Sequence, residues 1–359
     1  MEYYIYVTNE CNLNCSYCSV LVRKQGRSEP LKPIYSKSVL FEFIDKIQQK
    51  YNDNTADIYF FGGEPTLEYG VIADIISVFN RKTTYKINYV MHTNGLRLDS
   101  IPKYIIKKTD IMLLSMNYEK IYIDKHLSPY LSKIMNNINY VRRIKNFPII
   151  GRITVSPDTC LYTECCLMGA HFDYIYWQLD NSTYIPFEIY KTNYETSISL
   201  LFSYWINFLK AGVFLRYVPF INTINHFLNP SDKPSKFYCG YGESMIYIQT
   251  DGSCYACCDE VESRQHYIGN LEEGVEFPEI NLLNTICNEC KYIYVCGGRC
   301  GRMHIDHGQE RISEFCQLNI FMFSLIEEAI PLIRKIILKF PNFISNFNDP
   351  LIAYTEYTP

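Results

Sequence analysis

The sequence predicts an α/β protein in which β-rich and helical segments alternate six times, followed by a small cysteine-rich domain and a closing helix. Three observations carry this expectation. Apolar residues make up 48% of the 359, enough for a sizeable core. Short β-branched and aromatic runs recur through residues 1–180, with patterns of helical period between them. Nine of the 15 cysteines crowd into residues 239–316, where glycine is also frequent.

Taken in order, strands are expected at 3–8, 57–61, 86–91, 111–115, 149–155 and 174–179. Helices are expected between them at 38–49, 67–79, 102–107, 130–145 and 160–170. The first helix sets Val39, Leu40, Phe43, Ile44 and Ile47 on one stripe, with Ser36 or Ser38 as its cap. Such alternation predicts parallel strands and crossover helices. Wound one way, six units make an open or partial (β/α)6 barrel with ligands at the strands' C-terminal ends; a doubly wound sheet satisfies the same pattern. A long amphipathic helix over 192–210 carries Ile198, Leu201, Phe202, Trp205, Ile206 and Leu209, stops at Gly212, and is expected to link two domains. The cysteine-rich stretch has little side-chain bulk for an apolar core, so bound metal is expected to supply part of its folding energy. A final helical region over 315–340 should kink or break at Pro331, and the tail to Pro359 reads as surface or capping coil. The division expected is thus 1–190, 191–236, 237–340 and 341–359.

Composition narrows the function. With 34 basic and 38 acidic residues, nothing argues for nucleic acid as a partner. The most apolar long window, 319–340, carries Glu327, Glu328, Arg334, Lys335 and Lys339, so no membrane span is expected. The start lacks the basic flank and apolar run of a signal peptide. A cytoplasmic location follows as the expectation, and there an odd set of fifteen cysteines reads as metal ligands rather than disulfides.

Cys11, Cys15 and Cys18 directly follow the first expected strand. Three thiolates within eight residues can hold three corners of a four-iron cluster and leave one iron open; an incomplete zinc site or buried thiols are the competing readings. Gly62, Gly63, Glu64 and Pro65 end the second strand, where glycines admit a close approach and a carboxylate can take an ammonium group.

On these residues the sequence resembles the radical S-adenosylmethionine (radical SAM) superfamily. The triplet, with Tyr17 ahead of its third cysteine, matches the CxxxCxxC cluster motif, and Gly62–Pro65 matches the motif that binds the SAM amino group. Asn94, in Thr93-Asn94-Gly95, Ser115 at the end of strand four and Arg152 on strand five match further SAM-contacting positions. The resemblance implies a partial barrel over residues 1–180, a [4Fe-4S] cluster and SAM. It also implies reductive cleavage of SAM to a 5′-deoxyadenosyl radical that abstracts hydrogen from a substrate carbon.

In the second cluster, Cys239 is followed by Gly252 and Cys257, then by Cys287-x2-Cys290-x5-Cys296-x3-Cys300 and finally by Cys316. Seven thiolates exceed one tetrahedral zinc, although a zinc ribbon shares part of the spacing. The pattern resembles the SPASM extension of radical SAM peptide maturases. That resemblance implies two auxiliary clusters, one on Cys239, Cys257 and Cys300 and one on Cys287, Cys290, Cys296 and Cys316, three [4Fe-4S] clusters in all. Cys254, Cys258 or a non-cysteine group is left to complete the former. Cys160, Cys165 and Cys166 are read as core, and His304 and His307 as a polar face.

The resulting expectation is an oxidoreductase that modifies a peptide, most readily a ribosomally made precursor. It would act with a flavodoxin- or ferredoxin-type electron donor. The first strand begins at residue 3, so no leader-binding domain is expected ahead of it, which weighs against a precursor peptide, although such a domain can be a separate protein. Alternatives are oxidation of a Ser or Cys in a protein, with Asp259 as base, as in anaerobic sulfatase maturation; radical chemistry on a small molecule; and a ferredoxin-like carrier or zinc-stabilised module.

Overall fold

The computed structural model describes residues 1–15, 18, 29–115, 117, 128–180, 186–230, 237–258, 265–282, 285–306, 309–355 and 358–359. In chain order it forms β1 (Glu2–Thr8), α1 (Lys37–Tyr51), β2 (Thr55–Gly62), α2 (Tyr69–Lys82), β3 (Lys86–Thr93), α3 (Lys103–Lys108), β4 (Ile111–Ser115) and α4 (Ser128–Ile144). These are followed by β5 (Ile149–Val155), α5 (Leu161–Met168), β6 (Tyr174–Leu179), α6 (Phe187–Lys210) and α7 (Val218–Leu228). Then come β7 (Met245–Ile248), β8 (Ser253–Tyr255), β9 (Tyr267–Asn270), β10 (Gly274–Val275), α8 (Ile293–Cys296), α9 (Gly301–Asp306), α10 (Gln309–Lys339) and α11 (Phe343–Phe347). The six expected strands are all present, and the α/β architecture with parallel strands is the one the sequence predicts.

Two compact units emerge: Met1–Ser115 with Ser128–Ile149 and Tyr241–Glu279, and Met116–Leu127 with Ile150–Gly240 and Ile280–Pro359. In the first, the strand order is β10-β9-β8-β7-β1-β2-β3-β4. Strand β1 lies inside this sheet, parallel to β2 on one side and to β7 on the other. Its alternation sorts the faces. Tyr3, Ile5 and Val7 are buried, and Tyr3 Oη donates to Gln48 Oε1 of α1 at 2.9 Å. On the other face Tyr4 stacks on Tyr59 at 4.0 Å and on Tyr247 at 4.4 Å, the residues registered beside it in β2 and β7. Helix α1 forms as its stripe predicts, with the Ser36 hydroxyl accepting from Val39 N–H at 3.2 Å.

The second unit pairs β5 with β6 in parallel register, Arg152 beside Tyr176 and Thr154 beside Gln178. Its core is aromatic: Trp177, Phe202 and Trp205 surround Phe220 at 5.2–5.9 Å between ring centres. Helix α6 starts at Phe187, five residues earlier than the stripe alone suggests, because Pro186 fits the position just before a first turn.

Three sequence expectations need correction. Helix α10 runs unbroken through Pro331, with Ile326 and Ile333 fully buried on either side of it. The tail is not coil: Phe343, Phe347 and Ile352 are buried, in α11 and in a 3-10 turn at Pro350–Tyr354. Residues 218–228 and 245–248, given no element above, form α7 and β7.

Candidate active site and thiol clusters

The C-terminal ends of β1, β2 and β3 meet at one rim of the first unit. Beyond β1 the chain turns into the loop carrying Cys11, Cys15 and Cys18. The turn that ends β2 is pressed against that chain: Gly63 N–H donates to Thr8 O at 2.9 Å and Glu64 N–H to Glu10 O at 2.7 Å. A Cβ on Gly63 would stand 2.0 Å from Glu10 O, and one on Gly62, at φ +126°, 2.2 Å from Thr8 O. Both positions therefore demand glycine. The close approach they permit is to the segment leading into the cysteine loop.

Glu64 turns its carboxylate inward, where only 1% of the residue is exposed. Oε1 accepts from Thr66 N–H at 3.1 Å, Thr66 Oγ1 at 2.6 Å and Thr93 Oγ1 at 2.6 Å; Oε2 accepts from Asn94 N–H at 2.8 Å. Burial raises its pKa, and these four donors pull against that rise. Glu64 thus fastens the end of β3 to the end of β2. From β3, Asn94 Nδ2 donates to Asn12 Oδ1 at 2.9 Å and stands 4.0 Å from Cys11 Sγ, while Leu13 N–H approaches the same sulfur at 3.4 Å. Cys18 N–H bonds Cys15 O at 3.1 Å, folding the second half of the triplet back on itself. Behind the loop, Asn9 Nδ2 holds Pro30 O and Thr250 Oγ1, each at 2.9 Å. Ser115 meets His92 Nε2 at 3.0 Å, with the Phe61 ring 5.1 Å from that imidazole.

Arg152 belongs to the second unit and donates from Nε to Gln178 Oε1 across β5–β6. Tyr17, Asp259 and His307 lie outside the described residues.

Cys287, Cys290, Cys296 and Cys316 all fall in the second unit, close enough to perturb one another. Cys296 is pushed well up, by burial first and then by Cys316, Cys287 and Cys290, with Arg299 pulling it down. Cys316 is pushed up to about 11 by burial, against the opposing charge of Arg299. Crowded, desolvated thiols of this kind release protons when a cation binds. Their donor chemistry, four sulfurs and no oxygen, fits an iron–sulfur cluster or zinc. Among the described residues no three His, Cys, Asp or Glu side chains close onto the position of a single ion.

Cys239 and Cys300 share the second unit with this quartet, where Phe237 N–H donates to Gly297 O at 2.7 Å and so joins their loops. Cys257 belongs to the first unit, beyond β8. Cys254 is wholly buried with its thiol raised by that burial, directed at Gly252 O at 3.8 Å. Cys165 is buried, whereas Cys160 and Cys166 are half-exposed; the hydroxyls of Tyr162 and Tyr204 hydrogen-bond Cys166. His304 is half-buried, its Nε2 meeting Gly298 O at 3.0 Å. Sequence reasoning missed Thr66 and Thr93 as partners of Glu64, and Asn12 as the partner of Asn94. Only Thr93-Asn94-Gly95 carried a hint of them.

Residues 5–159 match the family model described as the Radical SAM superfamily. The radical SAM cyclopropyl synthase TigE of Paramaledivibacter caminithermalis is 22% identical over 82% of this chain, which spans 66% of that protein's length. A cysteine-type anaerobic sulfatase-maturating enzyme of Clostridium novyi is 23% identical over 82% of this chain and 86% of its own. Among solved structures, native anSMEcpe with bound AdoMet superposes with a TM-score of 0.74 at 18% identity, over 94% of this chain and 99% of that one. No helix among the described residues is long and apolar enough to cross a membrane. The cysteine loop braced by a glycine-rich turn, the family match and these homologues agree: residues 5–159 carry a radical SAM domain, and the chain is similar to the anaerobic sulfatase maturases.

Proposed function

We propose that the protein uses SAM to start radical chemistry on a peptide, and that it matures a ribosomally made precursor. One observation carries the reading: the rim of β1–β3, where the Cys11–Cys18 loop, Gly62–Pro65 and Asn94 are tied together around Glu64. Cys11, Cys15 and Cys18 would hold a four-iron cluster, which would supply the electron for reductive cleavage of SAM. The chain's own residues arrange this. The turn at Gly62–Pro65 offers its backbone to the SAM amino group while Glu64 fixes that turn. Asn94 steadies the cysteine loop, Ser115 is assigned to the ribose or the carboxylate of SAM, and Arg152 to the carboxylate. Tyr17 stands beside the third cysteine in sequence.

Cys239, Cys257 and Cys300 are assigned to one auxiliary cluster of the SPASM type and Cys287, Cys290, Cys296 and Cys316 to another, three clusters in all, with a flavodoxin or ferredoxin as electron donor in the cytoplasm. Two of the similar solved structures, at 17% identity, hold a bound peptide, Cp18Cys in one and Kp18Cys in the other, which supports a peptide substrate here. A second reading, oxidation of a Ser or Cys in a protein partner with Asp259 as base, is favoured by the match to the C. novyi maturase over most of both chains. To test both, the anaerobically loaded enzyme is given SAM, dithionite and either a precursor peptide or a sulfatase-type Cys peptide. Peptide-dependent 5′-deoxyadenosine with a matching mass change in one peptide selects the reading. Equal 5′-deoxyadenosine with and without either peptide points to a small-molecule substrate instead.

A further inference from the structure

Arg299 lies in the Cys296–Cys300 loop with its backbone at φ +60°. Its side chain does not return to solvent. Nε donates to the carbonyl of Pro359 at 2.9 Å, and the guanidinium sits 4.9 Å over the ring of Phe315, the residue before Cys316. Arg311 lies 4.7 Å over the same ring, but its charge is answered by Glu314 at 2.7 Å. Among the described residues no Asp or Glu side chain pairs with Arg299. The segment that holds it is itself pinned: Asn319 Nδ2 donates to Pro359 O at 2.9 Å, and Thr358 Oγ1 reaches Cys296 O at 3.3 Å.

We infer that Arg299 is the fixed counter-charge of the cluster assigned to Cys287, Cys290, Cys296 and Cys316, and that it sets how readily that cluster is reduced. The inference rests on that assignment. Four thiolates around a four-iron cage leave a net negative charge, and each added electron makes it more negative. A cation held in a half-buried position therefore stabilises the reduced form more than the oxidised one. The tether to Pro359 and the Phe315 ring keeps the guanidinium from swinging into water, where its influence would be screened.

The test is an EPR-monitored redox titration of the fully loaded enzyme, in which the quartet's signal is the one that Cys316→Ala removes. Arg299→Met should lower the ratio of reduced to oxidised quartet cluster about tenfold at a fixed potential, which is about 59 mV for a one-electron couple. Arg299→Lys, which keeps the charge, should stay closer to wild type. A quartet signal of full intensity with an unshifted midpoint in Arg299→Met would overturn the inference. So would loss of quartet iron from both variants, since Arg299 would then be a clamp rather than a counter-charge. If Cys316→Ala removes neither signal nor iron, the cluster assignment itself fails, and the inference with it.

Discussion

The rim of the first unit is braced by backbone and by one buried carboxylate, whereas the thiol quartet of the second unit is crowded and partly desolvated. At the rim, Gly63 and Glu64 dock on Thr8 and Glu10 through main-chain bonds, and Glu64 collects four donors. Around the quartet, burial first and then neighbouring thiols raise the pKa of Cys287, Cys296 and Cys316, and the Arg299 guanidinium pulls the last two the other way. The contrast teaches what each region needs from its cofactor. The rim rests on main-chain bonds and one carboxylate; the quartet gathers thiols whose protons burial holds on.

Removing metal should expose the difference most strongly. Chelation under reducing conditions is expected to collapse hydrogen-exchange protection around 285–300, because metal binding there is folding energy. Protection of β1–β3 should survive, and equal loss in both regions would dissolve the comparison. Next in size is the rim's steric requirement. Gly63→Ala should cost about 3 kcal/mol or more in denaturant unfolding and abolish SAM binding, because its Cβ would overlap Glu10 O. Gly70→Ala is the control: it sits in α2 with open space around it and should be neutral or stabilising by about 0.5–1 kcal/mol.

Glu64→Gln should cost about 1–3 kcal/mol, since an amide cannot accept all four donors and one is left unpaired. SAM affinity should fall more than the iron content of the first cluster. An unaltered affinity would show that the carboxylate does not shape the rim. A further effect concerns pH. Glu2, near the other end of β1, is raised to about 8 by burial and then by Asp57. A raised carboxyl pKa gives stability that is present at low pH and lost as pH climbs from about 4.5 through about 8. Glu2→Gln should therefore melt higher than wild type above pH 8, with the gap closing toward pH 4.5; a gap of constant size would contradict the assignment.

Much of the fold could be read in advance because it is local. The six strands and α1 follow from alternation and stripe within each segment. Strand β7 could not be read that way: Met245–Ile248 is four buried residues among cysteines and glycines, and its pairing with β1 and β8 makes it a strand. Helix α7 buries Val218–Ile224 without a break, Asn222 and Thr223 included, so its buried set does not follow polarity. At the site, the cysteine spacing and Gly62–Pro65 announced the chemistry, but not why two glycines stand there. That reason is the proximity of Thr8 and Glu10, more than fifty residues back in sequence. The partnership of Glu64 with Thr93 and Asn94 likewise spans about thirty residues and leaves no local trace.

The most direct measurement is SAM cleavage itself. Wild-type protein loaded with iron and sulfide under anaerobic conditions, then given dithionite and SAM, should release 5′-deoxyadenosine. The combined Cys11→Ala, Cys15→Ala and Cys18→Ala variant should release none while keeping the iron held by the second unit's thiols. Continued 5′-deoxyadenosine formation by that triple variant would contradict the placement of the reaction at the rim of β1–β3.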